Sequence, residues 1–278
     1  MADANQGMPE IKGTLPLYKK PEPLNVQAHK GKGLKYGDRP FDFLNETHFV
    51  PVTVGEFANA GGVFPLIFLG DTKTVVAVMG LQAGENLFVD PNTGAFSPFS
   101  YVPAYVRRYP FVGAVHTNEE DRFTVCVDAG SHLFSDTPDV PFFNEDGKPS
   151  EFTERAIDFV RRFEADVAAT QAFIDRMKEL DLFEEQQTNF QPRDNAGQPV
   201  GEPQVVATYW GISLAKVNAL PTKTLEELRD NRYLGAIYAH LLSMARWDQL
   251  LARAASRNGQ KVTAAVAQPS MAPPPPEA

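Results

Sequence analysis

The sequence has one cysteine, Cys126, which excludes an internal disulfide framework and fits a reducing compartment. It has no long apolar run. The longest, residues 62–69 and 75–81, fall far short of the roughly 20 residues that cross a bilayer, so no membrane span is expected. It has no basic excess either: 26 Lys and Arg stand against 35 Asp and Glu, a net charge of -9, which argues against a general nucleic-acid binder. The N-terminal residues show no basic start, apolar stretch and small-residue cleavage site. The expected location is therefore cytoplasmic, with the cell surface by a signal-less route as the alternative. The five histidines (His29, His48, His116, His132 and His240) show no paired spacing, and one thiol cannot build a thiolate site; no metal or cofactor is expected. Asp90-x-Asn92-x-Gly94 opens like a calcium loop, but Tyr101 stands where the bidentate Glu is required. Gly31–Gly37 is glycine-rich, with its third glycine misplaced for a dinucleotide loop and no strand before it.

What is present is an ordinary globular composition, 43% hydrophobic and 22% charged over 278 residues. The charge is uneven. Residues 1–40 carry seven basic and four acidic side chains, residues 256–278 a net of +1, and the middle a net of -13. Both ends are poor in large apolar residues, so residues 1–40 read as a flexible basic segment and 256–278 as a disordered Ala/Pro-rich tail. The folded unit is expected over 41–255. Its first half reads as strands: 47–53, an edge or bulge because of Pro51; 64–69 and 74–79 around a turn at 70–73; 86–89; and 123–128. Its second half reads as helices: a long one capped by Ser150 and running to about Leu180, one opened by a capping box at Thr224 and Glu227, and one from about Arg232 to Ala255. A polar loop at 188–202 and a strand at 205–210 lie between. Strands first and helices later predict an α+β fold, a mainly antiparallel N-terminal sheet packed with a long helix and a C-terminal helical part.

Two places carry candidate chemistry. Trp210-Gly211-Ile212-Ser213-Leu214-Ala215 has the strand–Gly-x-Ser-x-small–helix outline of a nucleophile elbow, and His240 is the one histidine downstream, with Glu226, Glu227 and Asp230 between. The competing reading makes Ser213 a helix N-cap and His240 a hydrogen-bonded core residue. The segment Tyr101–Phe111 packs three tyrosines (Tyr101, Tyr105, Tyr109), the adjacent Arg107 and Arg108, and two prolines into eleven residues. Planar guanidinium forks and tyrosine faces suit recognition of a peptide or another anionic group. The competing reading packs the tyrosines against the sheet and pairs the arginines with acids.

His48-Phe49-Val50-Pro51-Val52-Thr53, Phe64-Pro65-Leu66-Ile67-Phe68, Gly84-Glu85-Asn86-Leu87-Phe88-Val89-Asp90 and Tyr101–Phe111 resemble the bacterial SapC-like proteins. So do Phe142–Gly147, Leu220-Pro221 and Tyr238–Ser243, which extends the resemblance over roughly residues 45–253. The family takes its name from an association with bacterial surface layers, and the resemblance supplies no catalytic residue set. With that setting, the expectation is a non-enzymatic partner-binding protein linked to cell-surface or surface-layer biogenesis. The composition of the Tyr101–Phe111 segment, not the resemblance, makes Tyr101, Tyr105, Arg107, Arg108 and Tyr109 the expected contact surface for an unknown protein or peptide. The alternatives are a small-molecule or peptide-modifying enzyme using His240 with carboxylates or Ser213, and a structural surface-layer component.

Overall fold

A computed structural model describes residues 16–115, 123–190, 198, 202 and 204–257. In chain order the strands are β1 (Pro21–Pro23), β2 (Gly33–Leu34), β3 (Phe49–Pro51), β4 (Leu66–Leu69), β5 (Thr74–Val78), β6 (Phe111–Val115), β7 (Phe123–Asp128), β8 (Phe134–Ser135), β9 (Val140–Pro141), β10 (Phe183–Phe190) and β11 (Gln204–Ile212). The helices are α1 (Val26–His29), α2 (Phe57–Gly61), α3 (Ala104–Arg107), α4 (Glu151–Glu179), α5 (Leu214–Asn218), α6 (Thr222–Asp230), α7 (Tyr233–Ser243) and α8 (Arg246–Arg257). Antiparallel pairings build a five-stranded sheet, β10-β11-β4-β5-β3, and two three-stranded ones, β1-β7-β6 and β8-β2-β9. The fold is α+β, as the order of apolar patterns predicts.

Local chemistry sets most of these boundaries. The β4–β5 hairpin closes through Gly70 and Lys73, both with left-handed φ, and pairs Leu69 with Thr74. β3 lies at the sheet edge, where Pro51 has no neighbour on its far side to disappoint. Ser150 Oγ accepts from Thr153 N–H (3.3 Å) and starts α4. Along α4, Phe163, Phe173, Ile174 and Met177 enter the main core around the five-stranded sheet, whereas Val160 enters a second core with Phe111, Val127 and Phe142. One helix therefore bridges both.

Four expectations need correction. The expected flexible segment over residues 1–40 fails for residues 16–40, because β1 pairs with β7 and buried groups bind its backbone; residues 1–15 lie outside the described residues. Residues 86–89 form no strand. Asn86 instead donates from its amide to the Thr47 carbonyl and accepts from Phe88 N–H, leaving only a bridge between Val89 and Phe96. The capping box expected at Thr224 is absent because α6 starts at Thr222 behind Pro221; the motif occurs at Thr53, whose N–H donates to Glu56 Oε1 (2.9 Å). The last long helix is two, since Ser243 Oγ donates to the His240 carbonyl (2.6 Å) and accepts from Leu66 N–H (3.0 Å) at the break. β10 went unread: its Glu-Glu-Gln-Gln-Thr-Asn run has little apolar signal, and its last three residues fell in the expected loop. Residues 258–278, most of the expected tail, lie outside the described residues.

Candidate functional site

Of the segment expected to form a contact surface, Tyr105 and Tyr109 are buried and Arg108 is 5% exposed; Tyr101 is half-buried and Arg107 is exposed. Buried polar side chains must have their hydrogen bonds met inside. Tyr105 donates to the Pro16 carbonyl (2.7 Å), and Tyr18 donates to the Phe111 carbonyl (2.6 Å) while its ring meets Tyr105 and Tyr109 edge-on. Asp128, fully buried, accepts from the N–H groups of Lys19 (3.0 Å), Lys20 (2.6 Å) and Gly130 (3.0 Å). A strap from Pro16 through Pro23 thus covers Tyr105 and Tyr109, two of the three tyrosines expected to face a partner.

Arg108 Nη1 donates to Glu164 (3.1 Å), and its guanidinium lies 4.4 Å from the Tyr105 ring centroid and 4.3 Å from that of Phe163. Burial pushes both the Tyr105 and Tyr109 hydroxyls up to about 12, and it raises the Glu164 carboxyl against the pull of Arg108. Tyr101 donates to Glu56 Oε2 (2.9 Å), which also takes Ala104 N–H (2.8 Å) at the start of α3. Only Arg107 projects outward, and it donates to the Val102 carbonyl (3.0 Å) and the Tyr101 hydroxyl (3.2 Å). The expected contact surface is corrected accordingly: Tyr105, Arg108 and Tyr109 serve the interior.

The catalytic candidates are corrected in the same way. His240 is fully buried; its Nε2 accepts from Ile212 N–H (3.0 Å), so Nδ1 carries the proton and donates to the Leu66 carbonyl (2.9 Å). β11 and β4 pair at Trp210 and Phe68, and two residues on the imidazole stands between Ile212 and Leu66, replacing a rung of the ladder. Burial drives its pKa down to about 4, partly offset by the Leu66 carbonyl. No ring nitrogen is left to move a substrate proton. Ser213 is buried and its carbonyl accepts Val217 N–H (3.0 Å) as α5 begins, without a side-chain cap bond. Glu227 is spent on a two-pronged pair with Arg176 (2.9 and 2.7 Å). Cys126 is buried, which pushes its thiol up to about 11, away from nucleophilic form. Among the described residues no group of three or more His, Cys, Asp or Glu could hold a metal ion, and no helix is long and apolar enough to cross a membrane; His116 lies outside them.

An open concave site lies elsewhere among the described residues. By register, Leu66, Phe68, Val75 and Ala77 share one face of the five-stranded sheet, and Phe49, Ile67, Leu69 and Val78 share the other. On this second face Trp247 of α8 stacks on Tyr209 of β11 (5.6 Å, 28°). The helix covers part of the face and leaves a cleft of about 220 Å³ with an apolar floor that includes Ile67, Leu69 and Ala207. His48, Gln82 and Thr208 contribute its polar lining, and burial lowers the His48 pKa, favouring the neutral ring. Sequence reading missed this site. The available signal was the unbroken run Leu66-Ile67-Phe68-Leu69, which marks a strand with cover on both faces rather than one.

Compared with known families, the chain matches the family model described as SapC over residues 24–250. Comparison with curated proteins and with solved structures returns no match.

Proposed function

The chain belongs to the SapC family, and we propose that it works by holding a protein partner, with the cleft on the outer face of the five-stranded sheet as the docking site. The observation that carries this reading is the cleft's combination of size and lining. At about 220 Å³ it lies below the roughly 300–1,000 Å³ of ordinary small-molecule and cofactor pockets, and its floor is apolar. That volume suits one aromatic or branched side chain, the kind of anchor that dominates protein–protein contacts. The setting is cell-surface or surface-layer biogenesis, which the family's name suggests. The engagement of both His240 ring nitrogens and of the Glu227 carboxylate in internal bonds, with Ser213 buried, supports binding over chemistry at those residues.

Leu69→Glu tests the reading, because it places a carboxylate on the half-buried floor of the cleft. Cross-linked capture from the native bacterium should lose the partner with this variant while the thermal midpoint stays within a few degrees of wild type. A folded Leu69→Glu protein that retains the same partners would defeat it.

A further inference from the structure

One side chain on the surface has no account within the fold. Phe99 is fully exposed, at 107% of its reference area, and its φ is +59°. It occupies the third position of the turn Ser97-Pro98-Phe99-Ser100, closed by Ser100 N–H donating to the Ser97 carbonyl (3.3 Å). Glycine or asparagine is favoured where φ is positive, and a bulky residue there is strained. Strain without internal packing marks a position held for something outside the chain.

The turn stands on a fixed base. Ser97 N–H donates to the Phe88 carbonyl (2.7 Å), and Arg253 donates to Ser97 Oγ (3.1 Å). Phe96 packs against Phe41 and Phe88, and beyond the turn Tyr101 is tied to Glu56. The ring is thus presented in a preset position, so little ordering entropy remains to be lost on contact.

We propose that Phe99 of one copy seats in the cleft of a second copy, a proposal that rests on reading the cleft as a docking site. The chain carries both halves of the contact and does not join them internally, since its own Phe99 ring is fully exposed. The sizes agree: an apolar cavity of about 150 Å³ admits benzene, and this cleft is about 220 Å³. Ring and cleft are different surfaces, and each copy that gives its ring still has a cleft to fill, so the contact is either returned within a two-fold dimer or continued head to tail. The net charge of -9 makes copies repel, so added salt should strengthen the association, opposite to the behaviour of a charge-paired interface.

Sedimentation equilibrium of the full chain, at concentrations rising into the millimolar range, tests this. Wild type should show a mean mass that rises with concentration to the dimer or beyond and rises further with salt. Phe99→Ser should weaken the association at least about tenfold, as loss of an aromatic anchor does. Ala83→Trp, which plugs the cleft from its exposed rim, and Leu69→Glu should do the same. Mixing Phe99→Ser with Ala83→Trp should give a 1:1 complex that does not grow, because one supplies only the cleft and the other only the ring. A wild type that stays monomeric, a Phe99→Ser protein that associates like wild type, or a mixture that forms no complex overturns the proposal. If self-association is absent while Leu69→Glu still abolishes partner capture, this inference falls and the docking reading stands; retained capture by Leu69→Glu removes the docking reading itself.

Discussion

Tyr105 and Phe99 are six residues apart, and the structure treats them in opposite ways. Tyr105, with Arg108 and Tyr109, lies under the Pro16–Pro23 strap with its hydroxyl spent on the Pro16 carbonyl. Phe99 has no polar tip, no packing partner and an unfavourable backbone conformation, yet it faces out. The sequence composition points the other way, since tyrosine beside arginine is the usual mark of a contact surface. The same chemistry that recognises a peptide in a partner recognises a peptide in the chain itself, and here the chain supplies one rich in proline. Residue type alone therefore does not set exposure: Tyr105 is buried with its hydroxyl bonded inside, and Phe99 is exposed although it is wholly apolar.

His240 gives the largest test of that distinction. If both ring nitrogens are used internally, the folded state refuses a proton down to about pH 4, whereas the unfolded chain takes one near pH 6.5. Above pH 6.5 both states are neutral and the full stability is present. Between pH 6.5 and about 4 the unfolded state binds more protons, so stability falls as the pH falls, by roughly 3 kcal/mol from this group. The difference in unfolding free energy between wild type and His240→Gln, followed by denaturant titration, should shrink across that window. A constant difference would mean that the imidazole is not the neutral bridge between Leu66 and Ile212.

The two adjacent arginines sharpen the comparison at smaller scale. Arg108→Ala leaves Glu164 without its partner and opens space among three aromatic rings, an expected loss of roughly 2–3 kcal/mol once the partial exposure of Glu164 is allowed for. Arg107→Ala removes exposed bonds to Val102 and Tyr101 and should cost less than about 1 kcal/mol. Thermal midpoints of the two single variants separate them. Equal losses would show that burial does not distinguish these neighbours.

Much of the architecture was legible in the sequence because it rests on local rules. Pro51 dictates an edge, Gly70 a hairpin, and Ser150 a helix start, each through its own backbone chemistry. What was not legible depends on partners distant in sequence. Asp128 is 108 residues from Lys20, and His240 is 174 from Leu66, so neither the docking of the strap nor the sealed imidazole leaves a trace in any window of sequence. The strap was misread for a related reason. Its prolines and lysines carry little apolar signal, and it is held by backbone bonds to Asp128, by pairing with β7 and by Leu17 and Tyr18 packed on the cores, contacts that composition does not record. The candidate cleft depends on how much of a sheet face α8 leaves uncovered, which is a property of tertiary packing alone.

Phe99→Gly should have a small effect of the opposite sign. Glycine accepts φ of +59° without a Cβ clash, which recovers roughly 1–2 kcal/mol of left-handed strain. Its greater freedom in the unfolded chain takes back about 0.5–1 kcal/mol. No packing is lost, because the ring touches nothing in its own fold. The balance is a stabilisation of about 0–1.5 kcal/mol, measurable as an equal or slightly higher denaturation midpoint with an unchanged denaturant slope. A destabilisation comparable to that of Arg108→Ala would show that the ring packs against its own chain in solution, and the contrast between Tyr105 and Phe99 would then disappear. An unchanged or raised midpoint leaves the side chain with no role in folding, so whatever holds a strained aromatic ring at this position acts on the surface of the folded protein.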